Sequence, residues 1–104
     1  MKNRRNILTK LEQLKNFLKN YNEPYAKILD DLETEMRSAD ILNMQKEIEI
    51  LERLKTHMFG GMGSINDIWI SRRNGHKVDD EEKANSRLDE LRWQLKDALK
   101  EETS

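Results

Sequence analysis

The side chains able to do chemistry in this sequence are few and scattered. Two histidines, His57 and His76, stand without paired spacing. They also lack the H-E-x-x-H pattern that sets two imidazoles one helical turn apart around a metal. No serine sits in a nucleophile elbow. With no cysteine in the chain, thiol catalysis, cysteine-bound metals and disulfides are excluded. Asn66 and Asp67 are the polar pair nearest an apolar stretch, but such residues routinely serve turns and caps. The run Asp79-Asp80-Glu81-Glu82 gathers carboxylates where the positive end of a helix attracts them, so it reads as a helix start and not as a divalent-cation site. The remaining acids fall on polar helix faces, where solvation keeps them ordinary. The reading is a protein that is not an enzyme, with no cofactor and no metal.

Three of the four glycines, Gly60, Gly61 and Gly63, fall in F-G-G-M-G-S-I-N-D-I-W-I at residues 59–70. A phosphate cradle would need a P-loop's Lys-Ser/Thr pair or a G-x-G-x-x-G after a strand, and neither is present. A tight turn is the expected use. Gly60 or Gly61 takes the left-handed angle that ends a helix, and Ser64 with Asp67 three residues on has the spacing of a capping box. Ile65, Ile68, Trp69 and Ile70 then enter the core. Asn74-Gly75 is the strongest two-residue hairpin signal in the chain, since both central positions of a type I′ turn need positive φ. It predicts short strands at 69–73 and 76–78. That register sets Arg72 opposite Lys77 and Arg73 opposite His76, facing charges that weaken a hairpin.

Four helical patterns position these residues. Over 4–20, Ile7, Leu8, Leu11, Leu14, Leu18 and then Tyr21 form one apolar stripe. Pro24 stops that helix and suits the first turn of the next, 24–37, with Tyr25, Ile28, Leu29, Leu32 and Met36 inward. Ser38-Ala39-Asp40 breaks the chain. The third helix, 40–58, carries Ile41, Met44, Ile48, Leu51 and Met58 on one side and Leu42, Ile50 and Leu54 well round from them. A helix apolar on two sides is central in its own domain or shared with another chain, so this one is expected at the centre. The fourth, 80–101, is capped by Asp79 with Glu82 and buries Ala84, Leu88, Leu91, Leu95, Ala98 and Leu99. Trp93 leaves that stripe, and its exposure separates an interface anchor from a ring folded over a neighbouring loop. The expected architecture is mainly all-α: a single four-helix bundle-like domain over 1–104, with a glycine turn and short β-hairpin at 59–78.

A chain of 104 residues, 36% apolar, has the material for one core. Its 19 basic and 20 acidic residues nearly balance, which argues against a strongly basic nucleic-acid binder. No apolar run is long enough for a membrane span, and Lys10, Glu12 and Lys15 interrupt any leader after the basic start, so a cytoplasmic protein is expected. Charge is uneven: residues 1–27 are net +5, 28–59 net −4 and 60–104 net −2. A basic first helix beside an acidic middle explains this within the fold. A basic partner meeting the acidic surface explains it otherwise.

F-G-G-M-G-S-I-N-D-I at 59–68, N-G-H-K-V at 74–78 and N-x-x-L-x-x-L-R from Asn85 to Arg92 together resemble a family of small uncharacterised bacterial proteins. That family shares a G-G-M-G-S-[FL]-N-D-L core followed by N-G-H. The resemblance covers 59–95 well and is looser at Tyr25 to Leu29 and at 38–40. The chain departs from it with Ile65 where an aromatic is usual and Trp69 where an aliphatic is usual. Members are similar to small proteins encoded beside secreted bacterial toxins. The resemblance therefore implies an immunity protein that binds a basic toxin domain directly, needs no catalytic residues, and uses acidic surface to steer association. The surface expected to meet that partner is Asp30, Asp31, Glu33, Glu47 and Glu49, or Trp93 with Asp89 and Glu90. Gly60, Gly61, Gly63, Ser64, Asn66, Asp67, Trp69, Asn74 and Gly75 are expected to be scaffold. The rival expectation is a housekeeping or regulatory helical module without a toxin, as monomer or homodimer.

Overall fold

The 3-4-3-4 stripe of the first pattern forms α1 (Arg4–Asn20), whose Ile7, Leu11, Leu14 and Leu18 are completely buried. The computed structural model describes residues 3–39, 44–60 and 64–103. After α1 come α2 (Tyr25–Ser38), α3 (Met44–Phe59) and α4 (Glu81–Thr103). Two short 3₁₀ turns, Ile65–Asp67 and Arg72–Asn74, lie between α3 and α4. α1 runs along both α2 and α4, while α3 closes the ring more sparingly against α2, α4 and the first 3₁₀ turn. The start of α1 meets the ends of α2 and α4: Arg4 Nη2 donates to Met36 O, and Asn3 Nδ2 donates to Ala98 O at 2.8 Å. Both neighbours of α1 are thus antiparallel to it, and the bundle measures 45 × 24 × 23 Å.

The chain turns between helices by identifiable devices. Asn22 adopts φ 58°. Its N–H donates to Lys19 O and that of Glu23 to Leu18 O, both at 3.0 Å, the bond pair that closes a helix through a left-handed residue. The carboxylate of Glu23 then accepts from Tyr25 N–H at 2.5 Å and covers an open donor at the start of α2. At α4 the cap is Asp80, not the expected Asp79: Lys83 N–H donates to Asp80 Oδ1 at 3.0 Å and Ala84 N–H to its carbonyl.

The expected centrality of α3 is overturned. α3 buries Ile50, Leu51, Leu54 and Met58 on one face and leaves Ile48 55% exposed. Ile41, Leu42 and the expected start of this helix at Asp40 lie outside the described residues. α1 instead has the most extensive packing, because its stripe is unbroken over the full length of the helix. In α2, Ile28 is exposed and Ala26 takes a buried place.

The expected hairpin is absent, and the described residues contain no strand. Ser71 explains why. Its Oγ accepts from Asn74 N–H at 3.1 Å and winds Arg72–Asn74 into a helical turn, so Asn74 does not take the positive φ that a type I′ turn demands. Only Gly75 is left-handed there, at φ 87°, and the N–H groups of Gly75 and His76 close on Arg72 O and Ser71 O. The Arg72/Lys77 and Arg73/His76 juxtapositions of a hairpin are thereby avoided.

Gly60 is required for closeness. Its N–H donates to Thr56 O at 2.9 Å, and a Cβ added there would stand 2.4 Å from that same oxygen. Gly60→Ala must shift backbone to fit and is expected to cost about 2 kcal/mol, by analogy with overpacked interiors. Urea denaturation of the variant against wild type measures this. Gly61 and Gly63 lie outside the described residues.

Candidate interaction surface and its clamps

The irregular segment from Ser64 to Asp80 has no neighbouring strand, so its backbone groups need other partners. Two side chains of α4 supply them. Asn85, 3% exposed, accepts from Ile70 N–H through Oδ1 and donates from Nδ2 to Ile70 O, each at 2.8 Å. One amide thus gives Ile70 the donor and acceptor that a neighbouring strand would have given. Nδ2 also reaches Glu81 O at 2.8 Å. Two turns along α4, Arg92 donates from Nη1 to Ile65 O at 2.9 Å and Ile68 O at 3.3 Å, while its Nη2 binds Asp89.

The motif residues complete the lashing. Ser64 Oγ accepts from Asn66 N–H at 3.3 Å. The expected capping box is thus reduced to a three-residue 3₁₀ turn, with Asp67 N–H on Ser64 O. Asn66 donates to Met58 O at 3.0 Å and accepts from Lys96 Nζ at 2.6 Å, joining α3 to α4. Asn74 Nδ2 holds Trp69 O at 3.0 Å, and Arg72 binds Val78 O and Asp79 O at 2.8 Å. Ser64, Asn66, Asn74 and Gly75 therefore act within the fold.

Behind the segment lies a chain of polar groups at one end of the bundle. Ser71 N–H donates to His76 Nδ1 at 3.0 Å, and His76 Nε2 lies 3.5 Å from Glu23 Oε1. Tyr25 OH and His57 Nδ1 are 2.5 Å apart. Burial, then the charge of Arg53, lowers the His57 pKa from 6.5. Burial, then the charge of Glu23, raises that of Tyr25. A neutral His57 therefore accepts a hydrogen bond from the Tyr25 hydroxyl, which keeps its proton. Because the unfolded chain binds the histidine proton more tightly, this interaction is fully present above pH 6.5 and is lost as pH falls through the folded value. The melting-temperature advantage of wild type over His57→Phe should be constant above pH 7 and narrow between pH 6.5 and 5. Thermal melts across that range measure it.

The acidic candidates divide. Glu33 and Glu47 are buried and cannot meet a partner. Glu33 lies between Lys15 Nζ at 2.9 Å and Arg37 Nε at 2.8 Å, and Glu47 faces Arg4 Nε at 3.1 Å. Nothing in sequence spacing separates an acid clamped between helices from a solvated one. Asp30, Asp31 and Glu49 are exposed, with Asp30 at 3.5 Å from Lys15 and Asp31 at 3.8 Å from Lys27. Asp89 and Glu90 are exposed on α4 and paired with Arg92 and Arg87.

The aromatic residues give the clearest surface feature. Trp93 is 64% exposed, which removes the ring folded over a loop. Trp69 is 55% exposed, against its expected place in the core, and Phe59 is 45% exposed. Trp69 turns outward because Ile68 and Ile70 flank it on an extended stretch whose sides alternate, and the buried Ile70 claims the inner side. Each of these aromatics follows a residue of the same knot: Met58 bonded by Asn66, Ile68 bonded by Arg92, and Arg92 itself. Asn85 and Arg92, the residues that hold this surface, were read from the sequence only as part of a recurring pattern. Their one local signal is a polar side chain at the edge of the α4 stripe.

Among the described residues, fold and surface together define an all-α, four-helix arrangement whose irregular insert is locked to its last helix and presents aromatic rings to solvent. The chain belongs to the family described as a domain of unknown function (DUF6966), which matches residues 19–79. The match runs from the end of α1 through the second 3₁₀ turn and stops short of Asn85 and Arg92. No curated protein and no solved structure matches the chain. Among the described residues, no helix is long and apolar enough to cross a membrane.

Proposed function

We propose that this chain is a small protein-binding protein that neutralises a cognate bacterial toxin in the cytoplasm by direct contact. The observation that carries the reading is Trp93, 64% exposed on the longest helix, with Trp69 exposed on the segment clamped beside it. Large exposed rings on elements held by buried hydrogen bonds suit binding, because little backbone freedom remains to be lost on association. Tryptophan is enriched among residues that dominate binding energy. The exposed acids Asp30, Asp31, Glu49, Asp89 and Glu90 fit a partner of basic character. The resemblance to proteins encoded beside secreted toxins supplies the toxin. Co-expression with the product of the neighbouring toxin gene should give a co-purifying complex and protect the host cell. Trp93→Ala should fold normally and weaken the complex about 30-fold, the effect of a 2 kcal/mol hot spot. Failure of the wild-type chain both to capture the toxin and to protect the host would refute the toxin reading.

A further inference from the structure

Trp93 does not face water alone. Lys100, two turns further along α4, places Nζ 5.6 Å from the centroid of the Trp93 ring, so this π face already draws a cation in the free chain. One turn from Trp93, Asp97 is exposed and has no ion-pair or hydrogen-bond partner among the described residues. The other charges around the ring are committed. Asp89 is held by Arg92, Glu90 by Arg87 at 3.0 Å, and Lys96 is drawn aside to Asn66 at 2.6 Å. This face thus pairs an open indole with a free carboxylate at i and i+4, spacing that brings two side chains together on a helix surface.

A guanidinium suits that pair. It is planar, stacks on indole, and offers two parallel N–H groups to a carboxylate, whereas an ammonium is compact and more strongly hydrated. We propose that Trp93 and Asp97 form a receptor for an arginine side chain of a protein partner, with Lys100 resting over the ring until that arginine arrives. This rests on the protein-binding reading and adds the chemistry of the group recognised.

The test follows the Trp93 indole N–H resonance of the isotope-labelled full chain during titration with acetylated hexa-arginine or hexa-lysine at physiological salt. Hexa-arginine should shift the resonance saturably and bind at least about threefold tighter than hexa-lysine. Asp97→Asn should weaken it about fivefold, the upper range for an exposed ion pair. Lys100→Ala should strengthen it, because a competing cation is removed. Equal binding of the two peptides, or binding indifferent to Asp97→Asn, overturns the receptor. If a toxin is captured through Trp93 while hexa-arginine shows no preference, the arginine receptor fails and the protein-binding reading stands. If hexa-arginine binds through Asp97 but no toxin is captured, the receptor is supported and the toxin reading fails.

Discussion

Asn85→Leu is expected to lower the free energy of unfolding by about 3 kcal/mol, although leucine is similar in size and more apolar. The cost arises from what leucine leaves behind. Ile70 N–H, Ile70 O and Glu81 O all lose their side-chain partner at once, and Ile70 is fully buried. A buried backbone group without a partner costs about 1–3 kcal/mol, and local relaxation recovers part of the sum. Asn85→Asp separates the two halves of the amide. It keeps an acceptor for Ile70 N–H but turns an oxygen toward two carbonyls, so it should be at least as unstable at neutral pH. Acidification should return part of the loss, because a protonated carboxyl can donate to one carbonyl. Urea midpoints of both variants at pH 7 and pH 4.5 measure this. A leucine variant as stable as wild type would show that Ile70 does not depend on Asn85. Since the held segment carries Trp69, the same variants should loosen that part of the binding surface.

Glu33→Ala is expected to cost about 2 kcal/mol, less than the roughly 3–5 kcal/mol typical of breaking a buried ion pair. The Glu33 side chain is 8% exposed and binds Lys15 of α1 and Arg37 of its own helix. Its loss is moderated because Arg37 keeps Glu12 at 3.2 Å and Lys15 keeps Asp30 at 3.5 Å. Burial works against the Glu33 charge, but hydrogen bonds and charge from Lys15 and Arg37 outweigh it and lower the pKa from 4.5. Lys15 shifts upward from 10.5, chiefly through its hydrogen bond to Glu33, with burial opposing. A lowered carboxylate stabilises the fold fully above the unfolded value and loses that effect as pH falls through the folded one. The gap between wild type and Glu33→Ala should therefore be complete at pH 7 and close on acidification. Glu33→Met should recover part of it, because a well-packed apolar side chain removes the desolvation cost. A gap independent of pH would contradict the clamp.

The stripes of α1 and α4 were legible because each is a local property: Ile7 through Leu18, and Ala84 through Leu99, are inward in the structure as their spacing predicts. α3 misled because Ile48 and Ile50 differ only in which neighbour they meet, and a helix carries no record of its neighbours. Asn74-Gly75 misled for a more local reason. The Ser71 hydroxyl outbids strand pairing for Asn74 N–H, and the glycine serves a helical turn instead. Glu33 and Glu47 looked like surface acids because burial of a charge depends on a cation from another helix.

The exposed Trp93 was visible as a residue off its stripe, whereas the exposed Trp69 was not. Its direction follows from Asn85 holding Ile70 from α4, fifteen residues along the chain. Helix content, turn positions and charge balance follow from residues within a few places of one another, and the sequence by itself determined these. The direction of each tryptophan, the fate of each carboxylate and the hold of α4 on its insert depend on groups distant in the chain. Tertiary structure alone decided them, because a buried polar group must find its partner wherever the fold places one.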